Sequence, residues 1–142
     1  MVDAIRRFFG TREPFRAAIA KVHQIGFMKP GFNGHNAAVA NAEVRQNAED
    51  FLRKLLKHYG TSVPAPTLVA PTSDGGVAIE WRLKNPSEAV EIIILPRGLH
   101  EYAIRDLGKG RLDDAREDVP EQDLLNLVKL VVVGRVAEAP DS

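Results

Sequence analysis

The stretch PTSDGGVAIEW, from Pro71 to Trp81, decides the fold because it joins a tight turn to a strand with one buried face. Asp74 and the two glycines after it favour a hairpin turn, since glycine adopts positive φ angles without a Cβ clash. Beyond the turn, apolar Val77, Ile79 and Trp81 alternate with residues suited to solvent. This period of two is typical of an antiparallel strand that has one side on the core. The sequence therefore predicts a β-hairpin here.

Besides the strand that begins at Val77, three further strands are predicted, at Thr67–Ala70, Val90–Ile94 and Leu99–Arg105. The first of these forms the other half of the hairpin. The connections between them are short and rich in Gly, Pro and Asn, which favour tight turns. Four short strands joined in this way predict an antiparallel meander.

The register of the next hairpin, between the strand that begins at Val77 and the strand Val90–Ile94, can also be predicted. A four-residue loop over Asn85–Glu88 would place Trp81 opposite Ile92 and Arg82 opposite Glu91. That register sets opposite charges across the solvent face, which stabilises a strand pair, whereas a shift by two residues would place Glu80 opposite Glu91. We therefore expect the first register.

Helices are predicted on the N-terminal side of the meander. Glu13–Ile25 has apolar residues at i, i+3, i+4 and i+7, and Asn36–Tyr59 has a longer apolar stripe that ends before Gly60. The segment from Gly26 to His35 between them has the composition of a loop.

The C-terminal region begins with a polar, charged stretch, Gly108–Asp118, which is predicted to be a loop. The sequence Asp118-Val-Pro-Glu121 resembles a capping box and favours a terminal helix, although a strand over Leu127–Val133 is the alternative. The resulting fold class is α+β, with N-terminal helices, a four-stranded antiparallel meander and a C-terminal helix. We expect a single domain over residues 1–136 and a disordered tail over 137–142.

Composition limits the possible functions. The chain has 142 residues, 19 Lys+Arg against 19 Asp+Glu, and no cysteine. Zero net charge argues against a general nucleic-acid binder, and the lack of cysteine excludes disulfides, zinc ribbons and thiol nucleophiles. No apolar run approaches the roughly 18 residues of a membrane span, and the N-terminus does not resemble a signal peptide. We therefore expect a cytoplasmic protein that does not bind membranes.

No catalytic or metal-binding motif is visible, and we expect no cofactor. The four histidines, His23, His35, His58 and His100, are far apart and lack metal-ligand spacing. Asp74 and Glu80 allow the alternative of a metal-dependent nuclease, since one nuclease superfamily uses an Asp and a Glu-x-Lys on adjoining strands. Here the third position is Arg82, which cannot act as a base.

The N-terminal half has the features of a binding surface. Residues 1–58 contain ten Lys/Arg and five Asp/Glu, and they include all six phenylalanines. Exposed aromatic side chains favour a protein partner, whereas arginines beside them allow the alternative of nucleic-acid binding. The candidate partner-binding residues are Phe8, Phe9, Phe27, Phe32, Arg6, Arg7 and Arg12.

The segment Pro64–Trp81 also resembles a motif in a family of small, largely uncharacterised bacterial proteins. The family pattern is close to Pro-Thr-x-Asp-Gly-Gly-Val-x-Leu-Glu-Trp, here beginning at Pro71, followed by a strand like Val90-Glu91-Ile92. The similarity covers about residues 36–105 of this chain. Because the family's genes often occur in two-gene cassettes, the resemblance implies a protein partner and an antitoxin-like or accessory role. It assigns no catalytic residue.

Overall fold

Helices precede and follow an antiparallel sheet in the computed structural model, which describes residues 15–28, 39–83, 88–98, 100–106 and 111–133. The α+β class predicted from the sequence is therefore confirmed. The helices are α1 (15–25), α2 (Ala42–Tyr59) and α3 (Glu121–Leu127), and the strands are β1 (Leu68–Pro71), β2 (Val77–Arg82), β3 (Glu88–Ile94), β4 (His100–Asp106) and β5 (Arg111–Arg116). Short 3₁₀ turns lie at Gly60–Ser62 and Pro96–Gly98, and α3 continues as a π-helical segment over Val128–Val133. The N-terminal end of the predicted domain and the predicted disordered tail lie outside the described residues.

The sheet has five strands in the order β1-β2-β3-β4-β5, not the four predicted. Strand β5 occupies part of the segment that was predicted to be a polar loop. Its sequence, RLDDAR, lacks apolar alternation because β5 is an edge strand whose Asp114 and Arg116 are exposed. Its pairing with β4 includes a register shift between Ile104 and Arg105. Backbone hydrogen bonds to β4 are sufficient to form such a strand, and sequence periodicity does not reveal it.

Helix α2 begins at Ala42, six residues later than predicted. Asn41 is its N-cap, because the side-chain Oδ1 accepts a hydrogen bond of 2.9 Å from the Val44 N–H. Residues 39 and 40 are not helical, and residues 36–38 lie outside the described residues. At the other end, Gly60 has a φ of 54°, as expected of a glycine that ends a helix.

The C-terminal segment is helical, as predicted, and the alternative strand is wrong. The capping box is also wrong: the N-cap is Pro120, which offers no side-chain hydrogen bond, and its carbonyl accepts the N–H groups of Asp123 and Leu124. Asp118 instead has a φ of 53° in the bend before the helix. Helix α3 is joined to the sheet by the Val119 N–H, which donates to the His100 carbonyl at 2.9 Å.

The core lies between the helices and one face of the sheet, called here the inner face. Alternate residues of β2, β3 and β4 point into it, and all three helices contribute apolar side chains. Trp81 is its largest buried side chain, with 1% exposed, and its Nε1–H donates to the Pro64 carbonyl at 2.8 Å. The inner-face strand residues are Val77, Ile79, Trp81, Val90, Ile92, Ile94, His100, Tyr102 and Ile104.

The predicted register of the β2–β3 hairpin is wrong by two residues. Glu80 is opposite Glu91, and Trp81 is opposite Val90. The Leu83 N–H donates to the Glu88 carbonyl at 3.0 Å, which closes the strand pair at this end, and residues 84–87 are not among the described residues. A shift by two preserves the face of every side chain, so the predicted core of the hairpin is nevertheless correct.

Arginines compensate for the two facing glutamates. Arg82 Nε lies 3.8 Å from Glu80 Oε1, and Arg105 Nη2 on β4 lies 3.4 Å from Glu91 Oε1. The second contact comes from β4, which an argument about β2 and β3 alone does not include. This is why the expected repulsion does not set the register.

Candidate functional site

Among the predicted partner-binding residues, Phe27 is described by the structure, and it is 79% exposed. It lies in the turn after α1, where its N–H donates to the Gln24 carbonyl at 3.0 Å. Ile25 is the last residue of α1 and is buried, and the turn that follows it directs the Phe27 side chain away from the core. Phe8, Phe9, Phe32, Arg6, Arg7 and Arg12 lie outside the described residues.

Phe27 is joined to α1 by an aromatic contact. Its ring meets the His23 ring edge-on, with centroids 6.1 Å apart and an interplanar angle of 74°. Met28, the next residue, is 40% exposed. The C-terminal end of α1 therefore presents apolar surface to solvent.

A groove between α1 and α2 begins beside His23. Its volume is about 720 Å³, and most of its surface is apolar. Ile19 and Leu56 are half-buried and pack against the edge of the core, so they form the apolar floor. The lining residues are Arg16, Ile19, Ala20, His23, Gln24, Glu49, Arg53 and Leu56.

Glu49 lies between His23 and Arg53 on the groove rim. Its carboxylate is 3.6 Å from His23 Nδ1 and 3.4 Å from Arg53 Nη1. The Glu49 side chain is only 13% exposed, whereas those of His23 and Arg53 are 73% and 55% exposed. The rim therefore exposes the His23 and Arg53 side chains and keeps the Glu49 carboxylate largely inside, while Asp50 lies 3.9 Å from Arg53 Nη1 on the solvent side.

The nuclease alternative depends on Asp74 and Glu80, which the structure places in different surroundings. The Asp74 carboxylate accepts a hydrogen bond from the Thr72 hydroxyl, whose oxygen also accepts the Gly76 N–H at 2.8 Å. Asp74 thus supports the turn, while Glu80 pairs with Arg82 on the sheet surface. Within the described ranges, no group of three or more His, Asp or Glu side chains could hold a metal ion.

The described histidines occupy separate environments. His23 lies on the groove rim, and His58 is in the last turn of α2, with its ring centroid 6.3 Å from that of Tyr59. His100 is 6% exposed, and its Nδ1 has no hydrogen-bond partner among the residues that the structure describes. Burial lowers the pKa of His100 below its ordinary value, and the nearby Glu121 carboxylate opposes this effect. His35 lies outside the described residues.

A second groove, which the sequence analysis missed, lies between α3 and β5. It has a volume of about 400 Å³, with Tyr102 at its base and Leu130 on its rim. The Tyr102 hydroxyl donates to Asp114 Oδ2 at 2.8 Å, and burial together with this carboxylate raises the pKa of Tyr102. Leu130 is 74% exposed. It lies on the same side as the exposed Asn126 and Lys129, so the i, i+3, i+4 spacing of these residues was a signal in the sequence that could have indicated its exposure.

Comparison with protein-family profiles, curated proteins and solved structures finds no match to this chain. The resemblance to the bacterial family with the Asp-Gly-Gly hairpin therefore stays a prediction. Among the helices that the structure describes, none combines the length and the apolar character needed to cross a bilayer.

Proposed function

We propose that this protein is a non-enzymatic domain that binds a protein partner through the groove between α1 and α2 and the adjoining Phe27. The observation that carries the proposal is the 79% exposure of Phe27 beside an apolar groove. The hairpin resemblance implies a bacterial protein with an antitoxin-like or accessory role, and the composition predicts a cytoplasmic one; both form part of the proposal.

The physical reason is the cost of leaving such a surface in water. Large aromatic side chains at the centre of an interface commonly contribute more than about 2 kcal/mol to binding. Phe27 is anchored on one side by His23 and is otherwise exposed. A partner that covers Phe27 and the floor of the groove would remove both from water.

Nucleic-acid binding is the alternative, and the charge of the helices favours it. Over residues 15–28, α1 and its turn contain Arg16 and Lys21 and no carboxylate. However, the floor of the groove is apolar, and the Glu49 carboxylate lies between His23 and Arg53. These two features suit an apolar partner surface better than a phosphate backbone.

Two measurements separate the proposal from this alternative. Tagged protein is used to capture partners from cells, and the captured proteins are compared for wild type, Phe27→Ala and Leu130→Ala. Leu130 is a matched control because it is similarly exposed on a different surface. We expect Phe27→Ala alone to reduce capture of specific proteins.

The second measurement is a salt titration of binding to mixed oligonucleotides. A nucleic-acid binder releases counterions, so its affinity falls with a log–log slope of about −0.7 to −0.9 per phosphate contact. Micromolar binding with such a slope, together with capture unaffected by Phe27→Ala, would replace the proposed function with the alternative.

A further inference from the structure

We infer that Arg45 of α2 is a positioning residue for the proposed binding surface, because its guanidinium group packs on the turn that presents Phe27. This turn comprises residues 26–28 and is called here the Phe27 turn. The inference rests on the proposed function and adds how the surface is formed before a partner binds.

The Phe27 turn has few contacts of its own that hold it in place. The N–H groups of Gly26, Phe27 and Met28 donate to the carbonyls three residues earlier, at 3.1, 3.0 and 3.1 Å. Such bonds tighten the end of a helix, but their geometry is poorer than that of the α-helix itself. The side chains of Phe27 and Met28 are largely exposed, so they add little buried contact. A helix end of this kind opens locally unless another element supports it.

Arg45 supplies this support at Gly26. Gly26 is not among the described glycines with a positive φ, so its backbone conformation does not require glycine. The absence of a side chain is what the structure uses, because a Cβ at position 26 would overlap Arg45 Nη1 and would lie 2.7 Å from Arg45 Cζ. The guanidinium group therefore lies directly against the backbone of the turn.

Arg45 is itself fixed on α2. Its backbone N–H and its Nε–H both donate to the carbonyl of Asn41, at 3.0 and 3.3 Å, and Asn41 is the N-cap of that helix. Val44 and Ala48 on either side of it along α2 are fully buried, so this part of the helix is anchored in the core. The Arg45 side chain thus joins an anchored part of α2 to the C-terminal end of α1, where the helix dipole also favours a cation.

A turn that is already held in place lowers the cost of binding. Ordering a flexible loop at an interface costs free energy, and a pre-formed surface avoids that cost. The Phe27 ring lies edge-on against the His23 ring, and this is the arrangement that we expect Arg45 to preserve. Loss of the guanidinium group should therefore weaken partner binding by loosening the Phe27 turn.

Amide hydrogen exchange of the full chain, measured by NMR, tests the support directly. Arg45→Ala should make the amides of residues 26–28 exchange at least about threefold faster, because the turn loses its contact with α2. The amides of Leu52 and Leu55, whose side chains are buried in the core, should keep the wild-type rate. That difference distinguishes a local opening of the turn from a general loss of stability.

Two further variants locate the effect. Arg53→Ala is the matched control, since Arg53 is also an arginine of α2 but pairs with Glu49 and Asp50 of its own helix, so its loss should leave the Phe27 turn unchanged. Gly26→Ala should displace the guanidinium group without removing it. It should therefore speed exchange of the turn as Arg45→Ala does, and the double variant should exchange no faster than the faster single variant.

The role in binding is measured on the proteins whose capture from cells depends on Phe27. Arg45→Ala should reduce their capture at least about threefold, in line with the loosening of the turn. Combined with Phe27→Ala it should reduce the residual capture no further, because Arg45 acts through the position of Phe27. A general structural role of Arg45 would instead lower the residual capture as well.

Three outcomes would overturn the inference. In the first, Arg45→Ala leaves exchange of the Phe27 turn unchanged or Arg53→Ala speeds it equally. In the second, Arg45→Ala speeds exchange in the core of α2 as much as in the turn. In the third, Arg45→Ala loosens the turn but leaves capture unchanged.

The failure of this inference can be distinguished from failure of the proposed function. If the turn does not respond to Arg45→Ala but capture still depends on Phe27, the inference is wrong and the protein-binding surface stands. If the turn loosens as expected but Phe27→Ala does not reduce capture, the proposed function and the binding role of Arg45 are both wrong.

Discussion

Replacement of Trp81 by alanine tests whether the sheet and helices share the core described above. Trp81 is the only tryptophan in the chain, lies on the inner face of β2 and is 1% exposed. Its indole N–H also donates to the Pro64 carbonyl in the linker between α2 and β1. The substitution therefore removes both a large buried ring and a bond that holds the linker against the sheet.

The expected loss is large compared with the stability of a domain. Truncation of a buried Trp to Ala costs about 3–5 kcal/mol, and loss of a typical hydrogen bond costs about 0.5–1.5 kcal/mol. Native domains are stable by about 5–15 kcal/mol, so Trp81→Ala should remove from about a quarter of the free energy of unfolding to all of it, in which case the variant would be unfolded without urea. Trp81→Phe keeps much of the buried ring and should cost less.

Urea denaturation followed by far-UV circular dichroism is the suitable assay, because both substitutions remove the intrinsic tryptophan fluorescence. Arg82→Lys is the matched control: Arg82 is the next residue along β2 but is exposed on the opposite face, and lysine keeps the positive charge beside Glu80, so the substitution should change stability by about 0.5 kcal/mol or less. A Trp81→Ala midpoint equal to that of wild type would refute the role of Trp81 as the centre of the core.

Two further predictions concern single sites. Gly76→Ala should lower the free energy of unfolding by about 1–3 kcal/mol, because a Cβ there would lie 2.8 Å from the Ile94 carbonyl oxygen and from Thr72 Oγ1. A denaturation midpoint unchanged by the substitution would contradict this close packing. Because burial lowers the pKa of His100 below the ordinary 6.5, the unfolded chain binds a proton more readily than the folded chain. The stability that neutral His100 contributes is thus complete above pH 6.5 and is lost as the pH falls through the folded pKa. The free energy of unfolding, measured from pH 7.5 to about 5.5, should fall in wild type and should fall less in His100→Leu. An equal change of this free energy with pH in the two proteins would argue against the prediction.

The sequence could predict which side of a strand faces the core, but it could not predict every partner of that strand. Alternation from Val77 to Trp81 determines the inner face, and a shift of two residues does not alter it. The pairing of Glu80 with Glu91 is accompanied by an ion pair between Glu91 and Arg105, which β4 brings alongside and which the two strands alone do not reveal. Strand β5 was missed for a related reason: the sequence RLDDAR of this edge strand carries no apolar alternation.

The candidate site was predictable only in part. Phe27 could be identified because it follows Gly26 after the last apolar position of α1, in a segment with the composition of a loop. The groove could not, since it requires Ile19 on α1 and Leu56 on α2 to lie at the same edge of the core. Helical periodicity assigns each residue to a face but does not show where two helices diverge.

Both edges of the sheet have features that oppose growth by addition of further strands. Strand β5 places charged residues and a register shift at one edge, and β1 is only four residues long, ends at Pro71 and runs beside Ala17 and Lys21 of α1. Charged side chains, short strands, proline and irregular pairing are features by which natural sheets avoid edge-to-edge aggregation. At the high local concentrations of a crowded cell, these edges would keep molecules from joining into fibrils, so the exposed Phe27 surface can stay available without the chain being lost to precipitation.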